Sequence, residues 1–183
     1  IYTGCLAHAA YYIESNGVAA IFDPLREVGP YIERAENDGA KIKYVFETHF
    51  HADFVSGHIE LAKATGATIV YGPDAQTGFE AHHAKDGELF NIGKLRLRVM
   101  HTPGHAPGHV VFIDTANNFV INGDVLFRGS FGRTDLPGGD FETLKSTILN
   151  KMFSLPEDMT IYCGHGPSTT IGTEKVSNYI LNF

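Results

Sequence analysis

What restricts this chain most is a recurring junction, in which a short apolar run ends at a small or turn-forming residue beside histidine or aspartate. Ile42 to Phe46 runs into Thr48-His49-Phe50-His51-Ala52-Asp53-Phe54, and Leu95 to Val99 into His101-Thr102-Pro103-Gly104-His105. Phe119 to Asn122 runs into Gly123-Asp124, and Thr160 to Cys163 into Gly164-His165-Gly166-Pro167. Gly and Pro let the backbone turn sharply after a strand, and loops at strand ends are where a rigid scaffold presents reactive side chains. The junctions therefore predict strands whose ends meet at one sheet edge and bring His49, His51, Asp53, His105, Asp124 and His165 together.

Imidazole and carboxylate together suit zinc, iron or manganese and not a soft copper site. A single histidine beside a turn ordinarily packs or hydrogen-bonds there. A set of histidines and aspartates all at strand ends points instead to a shared metal. The remaining histidines read differently. His82-His83 reads as solvated surface, His8 and His58 as structural, and His101 and His109 as supports for the loop around His105.

The chain between these junctions reads as alternating strands and helices. Ala9 to Glu14 and Val18 to Phe22 form a hairpin through Ser15-Asn16-Gly17, since Asn-Gly tolerates positive φ. Pro30 suits the first turn of a helix ending at Asp38-Gly39, because its missing N–H is not needed there. A second helix spans about Ser56 to Thr65, with Val55, Ile59 and Ala62 spaced to face a core. Thr68 to Tyr71 is a strand, and Val110 to Asp114 and Phe119 to Asn122 flank Ala116-Asn117-Asn118 as a second hairpin. Asp140 suits an N-cap for a helix carrying Phe141, Leu144, Ile148 and Met152, and a last helix follows Gly172. Gly129 to Gly139 reads as a long surface loop. This order predicts two sheets with helices outside.

At 183 residues and 43% hydrophobic, one domain over 1–183 is expected. The formal net charge of -7 argues against a nucleic-acid or anionic-membrane partner, which needs a concentrated basic face. No apolar run reaches the roughly 20 residues of a bilayer span, and the start lacks a secretory pattern, so the expected location is cytoplasmic. Cys5 and Cys163 are far apart and read as buried thiols. Ile1 in place of Met fits a processed or excised piece of a longer chain.

THFHADF, HTPGH, GDVLF and GHGP, in this order, resemble the metallo-β-lactamase superfamily over essentially the whole chain. The resemblance implies an α/β fold, the αββα sandwich of two mixed sheets packed face to face with helices outside. It lies nearest the branch of glyoxalase II and the persulfide dioxygenases. In the two-metal glyoxalase II pattern the first loop ends in histidine where this chain has Phe54, which leaves Asp53, Asp124 and His165 for a second metal. ETHFHADFVSGH and YTGCLAHAAYYIE resemble rhodanese-associated persulfide dioxygenases, which implies mononuclear Fe(II) on His49, His105 and Asp124, with His51, Asp53 and His165 orienting ligands or holding water. HTPGHAPGHVVF, INGDVLFRGSFGRTDLPGGDFETL and YCGHGPSTTIGTEK resemble compact glyoxalase-II-like hydrolases. Divergence or two joined sequences would each give such halves.

Two activities follow from the resemblance. The first is oxidation of a glutathione or coenzyme A persulfide by dioxygen to sulfite and thiol. The second is hydrolysis of a glutathione thioester by water activated on zinc, manganese or iron, oriented by Asp53. Arg133 would meet either Asp135 or a substrate carboxylate. A metal-binding homologue that no longer turns over is the third reading. The expected partner is a small-molecule thiol derivative, with a homodimer as the oligomer considered.

Overall fold

A computed structural model describes residues 2–3 and 8–183. Cys5 lies outside the described residues, whereas Cys163 is a buried free thiol. β1 (Tyr2–Thr3) and β2 (His8–Ala9) form a short antiparallel ladder at the start.

The first sheet has the order β3-β4-β5-β6-β7, built from β3 (Tyr11–Ser15), β4 (Val18–Phe22), β5 (Lys41–Phe46), β6 (Thr68–Tyr71) and β7 (His82–His83). The β3–β4 hairpin turns through Asn16 at φ 52° and Gly17 at φ 75°, the left-handed pair that suits a two-residue loop. β5, β6 and β7 then add in parallel, and parallel neighbours need crossovers. α1 (Gly29–Asn37), with Pro30 in its first turn, joins β4 to β5, and α2 (His58–Thr65), closed by left-handed Gly66, joins β5 to β6.

The second sheet carries β8 (Leu89–Ile92), β9 (Leu95–His101), β10 (Val110–Asp114) and β11 (Phe119–Gly123) as an antiparallel meander. A small hairpin, β12 (Leu126–Phe127) with β13 (Ser130–Phe131), lies outside it. Helix α3 (Phe141–Asn150) starts where the Asp140 carboxylate accepts from Thr143 N. β14 (Thr160–Cys163) runs parallel to β11, β15 (Thr169–Thr170) closes that edge, and α4 (Ile171–Ser177) follows.

Three apolar clusters show how these parts stack. Ala20, Phe22, Phe46 and Val70 of the first sheet meet Phe90, Leu97, Val99, Val110, Phe112 and Ile121 of the second. Ala19, Ile21, Ile42 and Val45 on the outer face of the first sheet pack on Tyr31 and Ala35 of α1 and Leu61 of α2. Val111, Ile113, Val120 and Ile161, on the outer face of the second, pack on Leu144 and Ile148 of α3 and on Ile171. Sheets covered on both faces read as continuous apolar runs rather than alternations, which is why β4 and β10 are buried almost throughout. The layers are therefore helix, sheet, sheet, helix.

Several local expectations change. α2 begins at His58 rather than Ser56, and Val55 is 66% exposed, so Leu61 takes the core position. Met152 leaves the α3 frame and packs from a 3-10 turn (Met152–Ser154). The last helix starts at Ile171, capped by Thr170, which puts Gly172 inside it. His82-His83 is exposed but pairs with β6, and the Gly129 to Gly139 stretch includes β13. These short ladders carry too little periodicity to stand out in the sequence. Among the described residues no helix is long and apolar enough to cross a membrane.

Phe46 is fully buried, with ring centroids 4.9 Å from Phe22, 5.1 Å from Phe90 and 4.6 Å from Phe112. Phe46→Ala is expected to cost about 3–5 kcal/mol. An unchanged urea midpoint would show that the sheets do not pack through this ring.

Candidate metal centre

The site forms where β5, β9, β11 and β14 end. Asp23 organises the first wall from the end of β4, with its backbone at φ 49° and its N–H bonded to Phe46 O at 2.9 Å. A non-glycine residue in the left-handed region marks a position held by its surroundings. The Asp23 carboxylate accepts from Thr48 N at 2.7 Å and from Thr48 Oγ1 at 2.9 Å. With its proton given to Asp23, the Thr48 oxygen accepts from His49 Nδ1, 2.9 Å away. His105 Nδ1 donates to the Arg133 carbonyl at 2.7 Å. Both imidazoles thus carry their protons on Nδ1, and their Nε2 lone pairs face inward. Acceptors of this kind fix the tautomer of a metal-binding histidine.

Asp124 supplies the third donor. His49 Nε2 lies 3.7 Å from Asp124 Oδ2 and His105 Nε2 3.8 Å from it, and the three residues bring ligand atoms within 4.8 Å of one another. Asp124 N donates to His109 Nε2 at 3.1 Å, and His109 Nδ1 donates to Thr102 Oγ1 at 2.9 Å. His109 therefore supports the site rather than joining it, as its sequence context suggested. Glycines make the close approach possible: a Cβ at Gly164 would fall 2.3 Å from Asp124 Oδ1, and one at Gly132 1.9 Å from Asp124 O.

The charges suit a cation. Burial, with neighbouring His51 and His109, holds His49 well below the ordinary imidazole range. Burial would raise Asp124, but its hydrogen bond to His165 and the nearby imidazoles outweigh that and lower it. Neutral imidazole and ionised carboxylate are the forms that bind metal. Asp124 Oδ1 is also buried without a hydrogen-bond partner, a cost that an ion at the site would relieve. On donor chemistry and on this orphaned oxygen, the residues fit a divalent metal.

The other expected residues divide. His165 Nε2 stands 3.4 Å from both Asp124 Oδ2 and Asp53 Oδ2, so Asp53 and His165 form the open side. His51 is turned to a different set of partners, with Nε2 3.1 Å from Asp23 Oδ1 and 3.1 Å from Glu47 Oε2, while its ring sits 4.3 Å from that of His49. Burial opposes a proton on His51, but Asp23 and Glu47 outweigh it and hold this imidazole well above its ordinary range. Phe54 packs its ring 4.2 Å from His8 and 4.3 Å from His51. Arg133 is exposed and bidentate to Asp135 at 2.7 and 2.6 Å, the loop-anchor arrangement.

Sequence reasoning missed Asp23, Glu47 and the apolar side of the cleft. A cavity of about 850 Å³ opens over His49, His105 and Asp124, and Phe50, Phe127, Phe131, Leu136 and Pro137 line it. An aspartate ahead of Pro24 at the end of a buried strand was the available signal for Asp23. Nothing local marks the others, because only the fold shows that Glu47 is buried and that the apolar side chains face the cleft. His8 is structural, donating from Nε2 to Asp23 O at 2.9 Å.

The metallo-beta-lactamase superfamily model matches residues 3–165. The hydroxyacylglutathione hydrolase GloC of Haemophilus influenzae is 36% identical over 90% of this chain and 87% of its own length. The crystal structure of ETHE1 from Myxococcus xanthus superposes with a TM-score of 0.92 at 26% identity, covering 98% of this chain and 81% of that one. TTHA1623, solved in a di-iron-bound form, superposes with a TM-score of 0.85 at 30% identity, covering 98% of each chain.

Two expectations follow from the site's supports. A Cβ at Gly123, where φ is 51°, would lie 2.5 Å from Thr48 Oγ1 and 2.8 Å from His109 Nε2. Gly123→Ala should therefore destabilise by more than about 1 kcal/mol and lower metal content; wild-type values for both would contradict the packing. Burial, then His105, pushes His109 from 6.5 down to about 3. Between these values the unfolded chain binds a proton there that the folded chain refuses, so this group removes stability as pH falls. His109→Gln should flatten that stretch of the denaturant-midpoint curve, and an unaltered slope would acquit His109.

Proposed function

The chain belongs to the metallo-β-lactamase superfamily, and from that premise we propose a mononuclear Fe(II) persulfide dioxygenase acting as a single domain in the cytoplasm. The observation that carries this reading is the donor set: His49, His105 and Asp124 form one close group, and an apolar ring, Phe54, stands at the loop position from which a further histidine would serve a second metal. Two histidines and one carboxylate with open positions are the ligand set of non-haem iron oxygenases. The resemblance of the first loop to persulfide dioxygenases supports the same choice.

When bound, the ion would supply open coordination positions for a sulfur anion and dioxygen. The chain's residues would do the rest. Phe50, Phe127, Phe131, Leu136 and Pro137 would take the carbon skeleton of a low-molecular-weight thiol derivative and exclude water from the sulfur. Asp53 and His165 would hold the water and protons at the open side. The overall balance is persulfide anion, dioxygen and water giving thiol, sulfite and one proton. Oxygen consumption after anaerobic loading with Fe(II), using glutathione or coenzyme A persulfide, tests this directly; no uptake with either would reject it.

A thioester hydrolase is the second reading, favoured by the 36% identity to GloC over 90% of the chain. There the same cleft would bind a glutathione thioester, and Asp53 would orient the attacking water, with the ion as Lewis acid. Release of thiol from S-lactoylglutathione under zinc or manganese, without oxygen uptake, would select it. A non-catalytic metal module fits poorly, since structural metals have closed shells and this site opens to a wide cavity.

His105→Ala should remove most bound metal, because the remaining two donors of the group hold a first-row ion weakly. Full occupancy by elemental analysis would show the ligand set is wrong. Phe54→His should raise metal content from one toward two ions per chain, and an unchanged value would separate Phe54 from the metal count.

A further inference from the structure

Behind the proposed ligands lies a buried polar group whose full composition the metal reading does not explain. Glu47 directly follows β5, with its N–H bonded to Val70 O at 2.9 Å and its side chain fully buried. Ser56 Oγ donates to Glu47 Oε1 in a short contact, and His58 Nδ1 lies 3.3 Å from that oxygen. Glu47 Oε2 stands 3.1 Å from His51 Nε2, yet it has no aligned hydrogen bond. The reason is simple: His51 has one proton on Nε2, and it is directed to Asp23 Oδ1. Two buried carboxylates face one imidazole.

A buried carboxylate oxygen without an aligned donor opposes folding. The compensation lies on the other side of His51, whose ring touches that of His49 while its own Nδ1 is buried and unpartnered. A carboxylate bonded to a ligating histidine commonly strengthens metal binding about 10–100-fold; here two carboxylates face a histidine packed on the ligand His49, one contact further from the ion.

We propose that Glu47 is a positioning residue for the metal centre: with Asp23 it clamps the Nε2 edge of His51 and fixes that ring against His49. The inference rests on the reading of His49, His105 and Asp124 as ligands. Ser56 holds Glu47 in place from just before the following helix.

The test is a chelator-competition titration of the metal-free protein with Co(II) and Zn(II), alongside urea unfolding of the metal-free form. Glu47→Gln should weaken both ions by about 10-fold, the low end for a carboxylate behind a metal-site histidine, while the metal-free protein keeps a cooperative urea transition. Glu47→Asp, which keeps the charge, should lie nearer to wild type in affinity than Glu47→Gln. A structural role would give the reverse pattern, a destabilised metal-free protein with wild-type affinity, and would overturn the proposal. His105→Ala serves as the reference. If it binds as tightly as wild type, the ligand assignment fails; if it loses metal while Glu47→Gln does not, only the role of Glu47 fails.

Discussion

Asp23 is the interaction on which the rest of the centre depends. One carboxylate, buried at the end of β4, accepts from the backbone and hydroxyl of Thr48 and from His51, while its own carbonyl accepts from His8. It thereby ties the first β-hairpin, the ligand loop and the β2 segment to one point. Burial would raise this carboxyl, but His51 and the Thr48 N–H outweigh it and keep it lowered. A buried charge satisfied on several sides is rigid, because each partner it loses leaves a full desolvation penalty. The tautomer of His49 follows from it, since Thr48 can accept from His49 only after donating to Asp23.

Convergence of the other donors follows from the sandwich. The sheets are joined by an aromatic and aliphatic layer including Phe22, Phe46, Phe90 and Phe112, and side chains interlocked at native density leave strand ends no freedom to drift apart. β11 and β14 run parallel, so their C-terminal junctions, Gly123-Asp124 and Gly164-His165, emerge side by side. Glycine at 132 and 164 then lets backbone pass where a methyl group would strike Asp124. The geometry of the centre is thus a consequence of strand direction and of missing side chains as much as of the ligands themselves.

Phe54 connects this architecture to chemistry. Its ring packs against His8 and His51. The neighbour solved in a di-iron-bound form and the ETHE1 neighbour share the fold, so the scaffold alone does not fix how many ions bind. The local features of this chain are one aromatic side chain in the first loop, a second carboxylate behind His51, and an aromatic wall above the cleft.

The sequence by itself determined the strand-end donors, the two hairpins, the α1 and α3 starts and the four-layer order, because these depend on turn chemistry and periodicity that act over a few residues. His49, His105, Asp124, Asp53 and His165 were legible for that reason, as was the supporting part of His109. Tertiary structure alone decided which atoms face inward. The His105 tautomer depends on the Arg133 carbonyl, 28 residues away, and His51 is oriented by Asp23, also 28 residues away. Glu47 and the Phe127–Phe131 wall acquire meaning only once the fold buries the one and turns the other toward the cleft. Short ladders such as β7 and β13 were invisible for the same reason: two residues carry no period, and only a neighbouring strand makes them part of a sheet.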